Sequence, residues 1–127
     1  MTEPRYLLDS NICIYLLEGL SEAARRRVEQ HQPGELVTSA IAYAEVVRGL
    51  DLANAAAANL VEALFRVVLI QPFDRAAANA YRTIPFKRGR FDRLIGAHAL
   101  ALDLTMVTNN EDDFRDIPGL RLENWTR

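Results

Sequence analysis

The sequence predicts an α/β fold of three layers: a short, mostly parallel central sheet with helices on both faces. Three observations predict it. Short apolar or β-branched runs recur between longer segments whose apolar residues have helical spacing. Side chains suited to capping helices stand at the junctions. The chain has 127 residues, half of them hydrophobic, which is enough for one core and too little for two. One domain over residues 1–127 is therefore expected.

The elements follow in order. Tyr6-Leu7-Leu8 reads as a first strand that ends at Asp9. Ser10 and Asn11 are N-cap types, and Ile12, Tyr15, Leu16 and Leu20 then recur at helical spacing. A second helix over Ser21 to His31 stops at Pro33-Gly34. Leu36-Val37 is a short apolar run, and Thr38-Ser39 can cap a third helix from Ala40 to Gly49. The alanine-rich stretch Asn54 to Arg66 consists largely of strong helix formers. Val67 to Ile70 has strand character and breaks at Gln71-Pro72, and Asp74 can cap a helix to Thr83. Phe91 to Leu102 is apolar on nearly every side, as a buried helix is. Leu104 to Val107 is a strand, Thr108-Asn109-Asn110 turns out of it, and Arg121 to Glu123 can form a last strand. Alternation of this kind favours parallel pairing, which places sites outside the carboxyl ends of the strands.

Three acids and an amide fall at that edge. Asp9 ends the first strand; it is either a ligand aimed into the crevice or a helix cap. Glu45 interrupts the apolar run Ala40 to Val47. A carboxylate there either faces solvent or meets a cation. Asp92 opens the buried helix, where a negative charge suits the helix dipole and also faces the strand ends. Gly96, one turn on, would admit a close backbone. Asn110 follows the late strand and can offer a carbonyl oxygen or simply make a turn. Together these residues form an oxygen-only donor set, which selects Mg²⁺ or Mn²⁺ over zinc or copper. Clustered carboxylates repel one another and need a cation to offset that. Such a metal commonly activates water and neutralises charge on phosphate.

Composition narrows the classes. Seventeen acids against fifteen cations, a net charge of -2, exclude a protein that grips nucleic acid by bulk positive charge. One Cys and two His exclude an internal disulfide and a Cys/His zinc module. No apolar run reaches the roughly 20 residues of a membrane span, and Met1 to Tyr6 does not look like a signal peptide. A cytoplasmic setting with no membrane partner is expected. Lys87, Arg88, Arg90 and Arg93 form the densest basic segment, beside Asp92; they are candidate phosphate-backbone contacts or a solvated loop. His98 reads as a satisfied, partly buried histidine, and Cys13 as a small buried hydrophobe.

Three segments then resemble a known family. They are YLLDSNICIYLLEG (Tyr6 to Gly19), TSAIAYAEVVRGL (Thr38 to Leu50), and FDRLIGAHALALDLTMVTNNEDDF (Phe91 to Phe114) followed by IPGLRLENW (Ile117 to Trp125). In this order and length they resemble PIN-domain ribonucleases, specifically VapC-type toxins of type II toxin–antitoxin pairs. The resemblance implies a PIN-like fold in which Asp9, Glu45 and Asp92 bind Mg²⁺ or Mn²⁺. Asn110 falls where many PIN domains have a fourth acid and joins the catalytic set on that ground. Glu111, Asp112 and Asp113 lie close by as possible substitutes. The resemblance also implies endoribonuclease activity on RNA, with tRNA the expected target, and inhibition of translation. A VapB-type antitoxin partner, homodimers and a higher toxin–antitoxin assembly follow from it as well. The helices Ile12 to Leu20 and Ala40 to Leu50 offer apolar faces for those contacts. The segment before Asp92 is shorter than is usual in relatives, which implies a remodelled rim. A catalytically silent PIN module that binds RNA or a protein is the alternative. A receiver-type phosphoacceptor would want a lysine after a late strand, yet the only lysine, Lys87, precedes the buried helix. A dehalogenase-type phosphatase would want an Asp where Asn11 stands.

Overall fold

In the computed structural model, which describes residues 2–88 and 90–127, five strands form one sheet in the order β3-β2-β1-β4-β5. The strands are β1 (Tyr6–Leu8), β2 (Leu36–Ser39), β3 (Leu69–Gln71), β4 (Thr105–Val107) and β5 (Leu122–Glu123). Every pairing is parallel, so the expected mostly parallel sheet is wholly so among the described residues. The helices are α1 (Ser10–Glu18), α2 (Glu22–Glu29), α3 (Ala40–Arg48), α4 (Ala55–Val67), α5 (Arg75–Tyr81) and α6 (Asp92–Ala101). A 3₁₀ turn covers Glu111–Asp113. None of these helices is long and apolar enough to cross a membrane.

Strand geometry divides the core in two. Successive side chains point to opposite faces. Leu7, Val37 and Met106 pack on one face with Ile95, Ala97 and Ala99 of α6 and with Ala80 of α5. Leu8, Leu36 and Val107 pack on the other with Ile12 and Cys13 of α1, Ala24 of α2 and Leu64 of α4. Helix α3 touches both layers, through Ala42 on one side and Val46 on the other. Full burial in the second layer holds the Cys13 thiol up at about 12, so it is un-ionised and inert. Trp125, also fully buried there, donates its indole N–H to Glu123 Oε1 at 2.9 Å. Arg27 lies over its ring and pairs with Glu123 at 3.0 Å, which closes the second layer against α2.

Local chemistry explains where the elements begin. Asp9, and not Ser10 or Asn11, caps α1. Its backbone is extended, and its Oδ1 accepts the Ile12 N–H at 2.9 Å. Ser39 caps α3 by accepting the Ile41 N–H at 3.1 Å, while it still belongs to β2. Thr38 stays in the strand and donates its hydroxyl to the Leu8 carbonyl at 2.7 Å, tying β2 to the central strand. Strand β3 starts two residues later than the β-branched run suggests. Val67 closes α4, and the Val68 N–H donates back to the Leu64 carbonyl at 2.9 Å. Helix satisfaction therefore outcompetes strand propensity at these two valines. Gly96 admits side chains and not a neighbouring backbone. A Cβ placed there would stand 3.1 Å from Ile117 Cδ1 and 3.6 Å from Phe114 and Leu120 carbons.

Candidate active site

The carboxyl ends of β1 and β4 and the starts of α1, α3 and α6 meet at one edge of the sheet. Ser10, Asn11, Glu45, Arg90, Phe91 and Asp92 line a crevice of about 230 Å³ there. Asp9 lies beneath them, 4% exposed. Its carboxyl is pushed up to about 6, chiefly by burial and further by the charges of Asp92 and Glu45. The Thr108 hydroxyl and the Ile12 N–H donate to it and offset part of that rise. Burial likewise raises Glu45, helped by Asp92, while the Ser10 hydroxyl donates to it and opposes the rise. Glu45 reaches this crevice from an exposed position on α3, so it is neither a simple solvent-facing acid nor a buried one. Asp92 stands in the first turn of α6, half-buried. The charge of Asp92 thus weighs on both Asp9 and Glu45, and a cation at this crevice would relieve it.

A cation from the chain itself is already there. Arg90 donates through Nε to Asp92 Oδ1 at 3.0 Å and through a terminal nitrogen to Asp92 Oδ2. The same terminal nitrogen meets Asp113 Oδ2 at 3.0 Å. A two-pronged guanidinium clamp of this kind engages both carboxylate oxygens. Among the described residues, no three acid, His or Cys side chains converge on a point that could hold a metal. The donor set suits a hard divalent ion, since every candidate ligand is a carboxylate oxygen. In this conformation Asp92 is engaged by Arg90 instead.

The two asparagines after β4 divide in an unexpected way. Asn110 is exposed and donates its side-chain N–H to Asp113 Oδ2 at 2.6 Å, the oxygen that Arg90 also meets. Its backbone N–H reaches the Thr108 hydroxyl oxygen at 3.1 Å, so its link to Asp9 runs through Thr108. Asn109 is the inward amide. It donates to the Tyr15 hydroxyl at 3.0 Å, and its Oδ1 is buried without a partner.

The basic segment splits as well. Arg93 is fully buried and cannot meet a polyanion. It donates to the Pro85 carbonyl at 3.0 Å, to the Asp113 carbonyl at 3.0 Å, and to both carboxylate oxygens of Asp116 at 3.2 and 2.9 Å. It holds Asp116 below the usual carboxylate range. The RNA-contact expectation for Arg93 is therefore corrected: it anchors the loops on either side of the crevice. Lys87 is exposed, with Asp116 at 3.8 Å, and Arg88 is exposed. Gly89, between Arg88 and Arg90, lies outside the described residues. His98 is buried, with its Nδ1 2.8 Å from Ser39 Oγ, and burial lowers its pKa, as a structural histidine's would be.

Comparison with known proteins gives this geometry a lineage. The family model described as the PIN domain matches residues 6–120. The chain is 30% identical to a tRNA(fMet)-specific endonuclease VapC of Shigella flexneri, over 96% of this chain and 98% of the relative. It is 31% identical, with the same coverage, to ribonuclease VapC1 of Haemophilus influenzae strain R2866. The structure of DNA-bound VapBC from Salmonella typhimurium matches with a TM-score of 0.83 at 28% identity, over 96% of this chain and 98% of that one. VapBC2 from Rickettsia felis, bound to a DNA fragment from its promoter, matches with a TM-score of 0.82 at 26% identity, over 94% and 98%. By the span of that family model and by relatives of this identity along nearly all of its length, the chain belongs to the PIN-domain family, on its VapC ribonuclease branch.

Proposed function

We propose that this chain is a metal-dependent endoribonuclease, the toxin of a VapBC-type pair, which cuts tRNA in the cytoplasm and so inhibits translation. The observation that carries the reading is the crevice at the sheet edge where Asp9, Glu45 and Asp92 come close together, so that the charge of Asp92 raises the cost of ionising the other two. These three would hold Mg²⁺ or Mn²⁺. When bound, the ion supplies charge that stabilises phosphate and acidifies a water nucleophile.

The rest of the work falls to the chain. Thr108 and the Ile12 N–H fix the direction of the Asp9 carboxylate. Ser10 fixes Glu45. Arg90 balances Asp92 and Asp113 before substrate arrives, and once released from Asp92 it is placed to meet a phosphate at the rim. Lys87 and Arg88 extend that positive rim. Asn110 orients Thr108 and Asp113 and does not serve as a ligand. A VapB-type antitoxin and self-association are the expected partnerships, in keeping with the VapBC assemblies among the structural relatives.

Purified protein incubated with total tRNA should cut it in Mg²⁺ and leave it intact in EDTA. Intact RNA in Mg²⁺, with the ion shown to be bound, would instead favour a silent RNA- or protein-binding module. Replacing Arg90 by Ala removes the competitor for Asp92, so Mn²⁺ affinity read by electron paramagnetic resonance should rise by roughly 10-fold, the scale of one charge-assisted contact. Unchanged affinity would mean that Arg90 does not guard the site.

A further inference from the structure

The crevice has a neighbour. Ile41, Ala44, Glu45, Arg48 and Phe91 line a second hollow of about 400 Å³. Glu45 and Phe91 belong to both hollows. Whatever occupies the second is therefore continuous with whatever sits at the acids.

Phe91 is an unusual lining residue. It is 64% exposed and belongs to neither core cluster. No aromatic partner pairs with it among the described residues. Its backbone is nonetheless fixed, because the Phe91 carbonyl accepts the Leu94 N–H at 3.0 Å in the first turn of α6. A ring carried on this fixed backbone, next in sequence to Asp92, belongs to neither core cluster and offers an exposed face. Beside Glu45, one turn further along α3, stands Arg48. It is exposed, and among the described residues no carboxylate lies within salt-bridge distance of it. An acid, an apolar lining with one aromatic, and a free arginine thus share one hollow.

That combination fits a single strand of RNA, which alternates phosphate and base. Proteins that hold unpaired nucleotides use aromatic faces for the bases and cations for the backbone. A hollow of about 400 Å³ is at the lower end for small-ligand sites, which suits one ring system better than a peptide helix. We propose that this groove is a nucleobase subsite: Phe91 stacks the base beside the phosphate held at the acids, and Arg48 takes the next phosphate. The proposal rests on the nuclease reading above and adds to it how the substrate is gripped.

The test uses small probes in Mg²⁺ by calorimetry and NMR, with Mg²⁺ binding titrated separately. Adenosine 5′-monophosphate should bind about 5- to 100-fold more tightly than ribose 5-phosphate, the range of one base–aromatic stack. Phe91→Ala should erase that difference, and Phe91→Trp should restore it. Since the ring is outside both core clusters, the Ala variant keeps the fold. Arg48→Ala should leave the base preference intact but weaken a 5′-phosphorylated dinucleotide relative to the mononucleotide. Equal affinity for the two monophosphates while Mg²⁺ binds overturns the subsite alone. Failure of Mg²⁺ to bind overturns the metal reading and the subsite with it. A Phe91→Ala variant that loses a protein partner but keeps the base preference assigns the groove to protein docking and likewise overturns the proposal.

Discussion

Replacing Asp9 by Asn should lower metal-dependent tRNA cleavage by roughly 10³-fold or more while leaving the fold intact. A group one step removed from a metal is commonly worth 10- to 100-fold, and Asp9 is expected to be a direct ligand. The fold survives because Asn is as good an N-cap as Asp, so Oδ1 can still accept the Ile12 N–H. Stability without metal should change in the opposite direction from activity. In the folded chain Asp9 keeps its proton up to about pH 6, whereas its ordinary value is 3.8. The folded state thus binds more proton than the unfolded state between those values. Stability from this group is full below pH 3.8, declines as pH rises to about 6, and stays reduced above that. The gap corresponds to roughly 3 kcal/mol. The Asn variant lacks this decline, so in EDTA at pH 8 it should melt at a higher temperature than the unchanged chain. Mg²⁺ should raise the melting temperature of the unchanged chain and do little for the variant. Melting curves from pH 4 to 8, with and without the ion, decide it. An Asn variant that cuts tRNA normally would remove Asp9 from the mechanism.

The largest loss of stability should come from Arg93→Ala, about 3 kcal/mol or more. The side chain is fully buried, and its removal leaves a cavity and strips the Pro85 and Asp113 carbonyls of their donor. It also frees Asp116 and unties the segment that leads into Asp92 from the 3₁₀ turn that carries Asp113. Cleavage should therefore fall with stability, because Asp92 loses its mounting. Arg88→Ala, in the same basic segment but exposed, should change stability by less than about 0.5 kcal/mol. Urea unfolding of both variants checks the contrast. A mild Arg93→Ala phenotype would mean that the loops are held by other contacts.

These two residues illustrate what the sequence could and could not disclose. The sheet was legible because short apolar runs alternate with capped helices, and the end of β1 locates Asp9; Glu45, inside α3, and Asp92, at the start of α6, were grouped with it from the helices that carry them and from the family resemblance. That Asp9 caps α1 and also lies close enough to Glu45 and Asp92 to feel their charge could not be decided locally, since both roles want the same residue type. The fates of Arg90 and Arg93 were not legible at all. A long cationic side chain goes where its partners are, and those of Arg93 lie 8, 20 and 23 residues away. One signal was present: Asp113 and Asp116 follow the late strand at a spacing that could meet a basic segment. The exchange of roles between Asn109 and Asn110 is of the same kind. Two identical neighbours differ only in which one the turn points inward, towards Tyr15.

The strand order has a consequence for synthesis. The central strand β1 is made first, but its two neighbours are β2 and β4, and the second of these lies at residues 105–107. Thr108, which holds Asp9, comes only after that. Chains grow at roughly 5–20 residues per second, and domains generally fold as units. A ribosome has therefore completed more than four-fifths of this chain before its first acid can be set in place. A product that ends before Thr108 lacks both the strand beside β1 and the hydroxyl that holds Asp9.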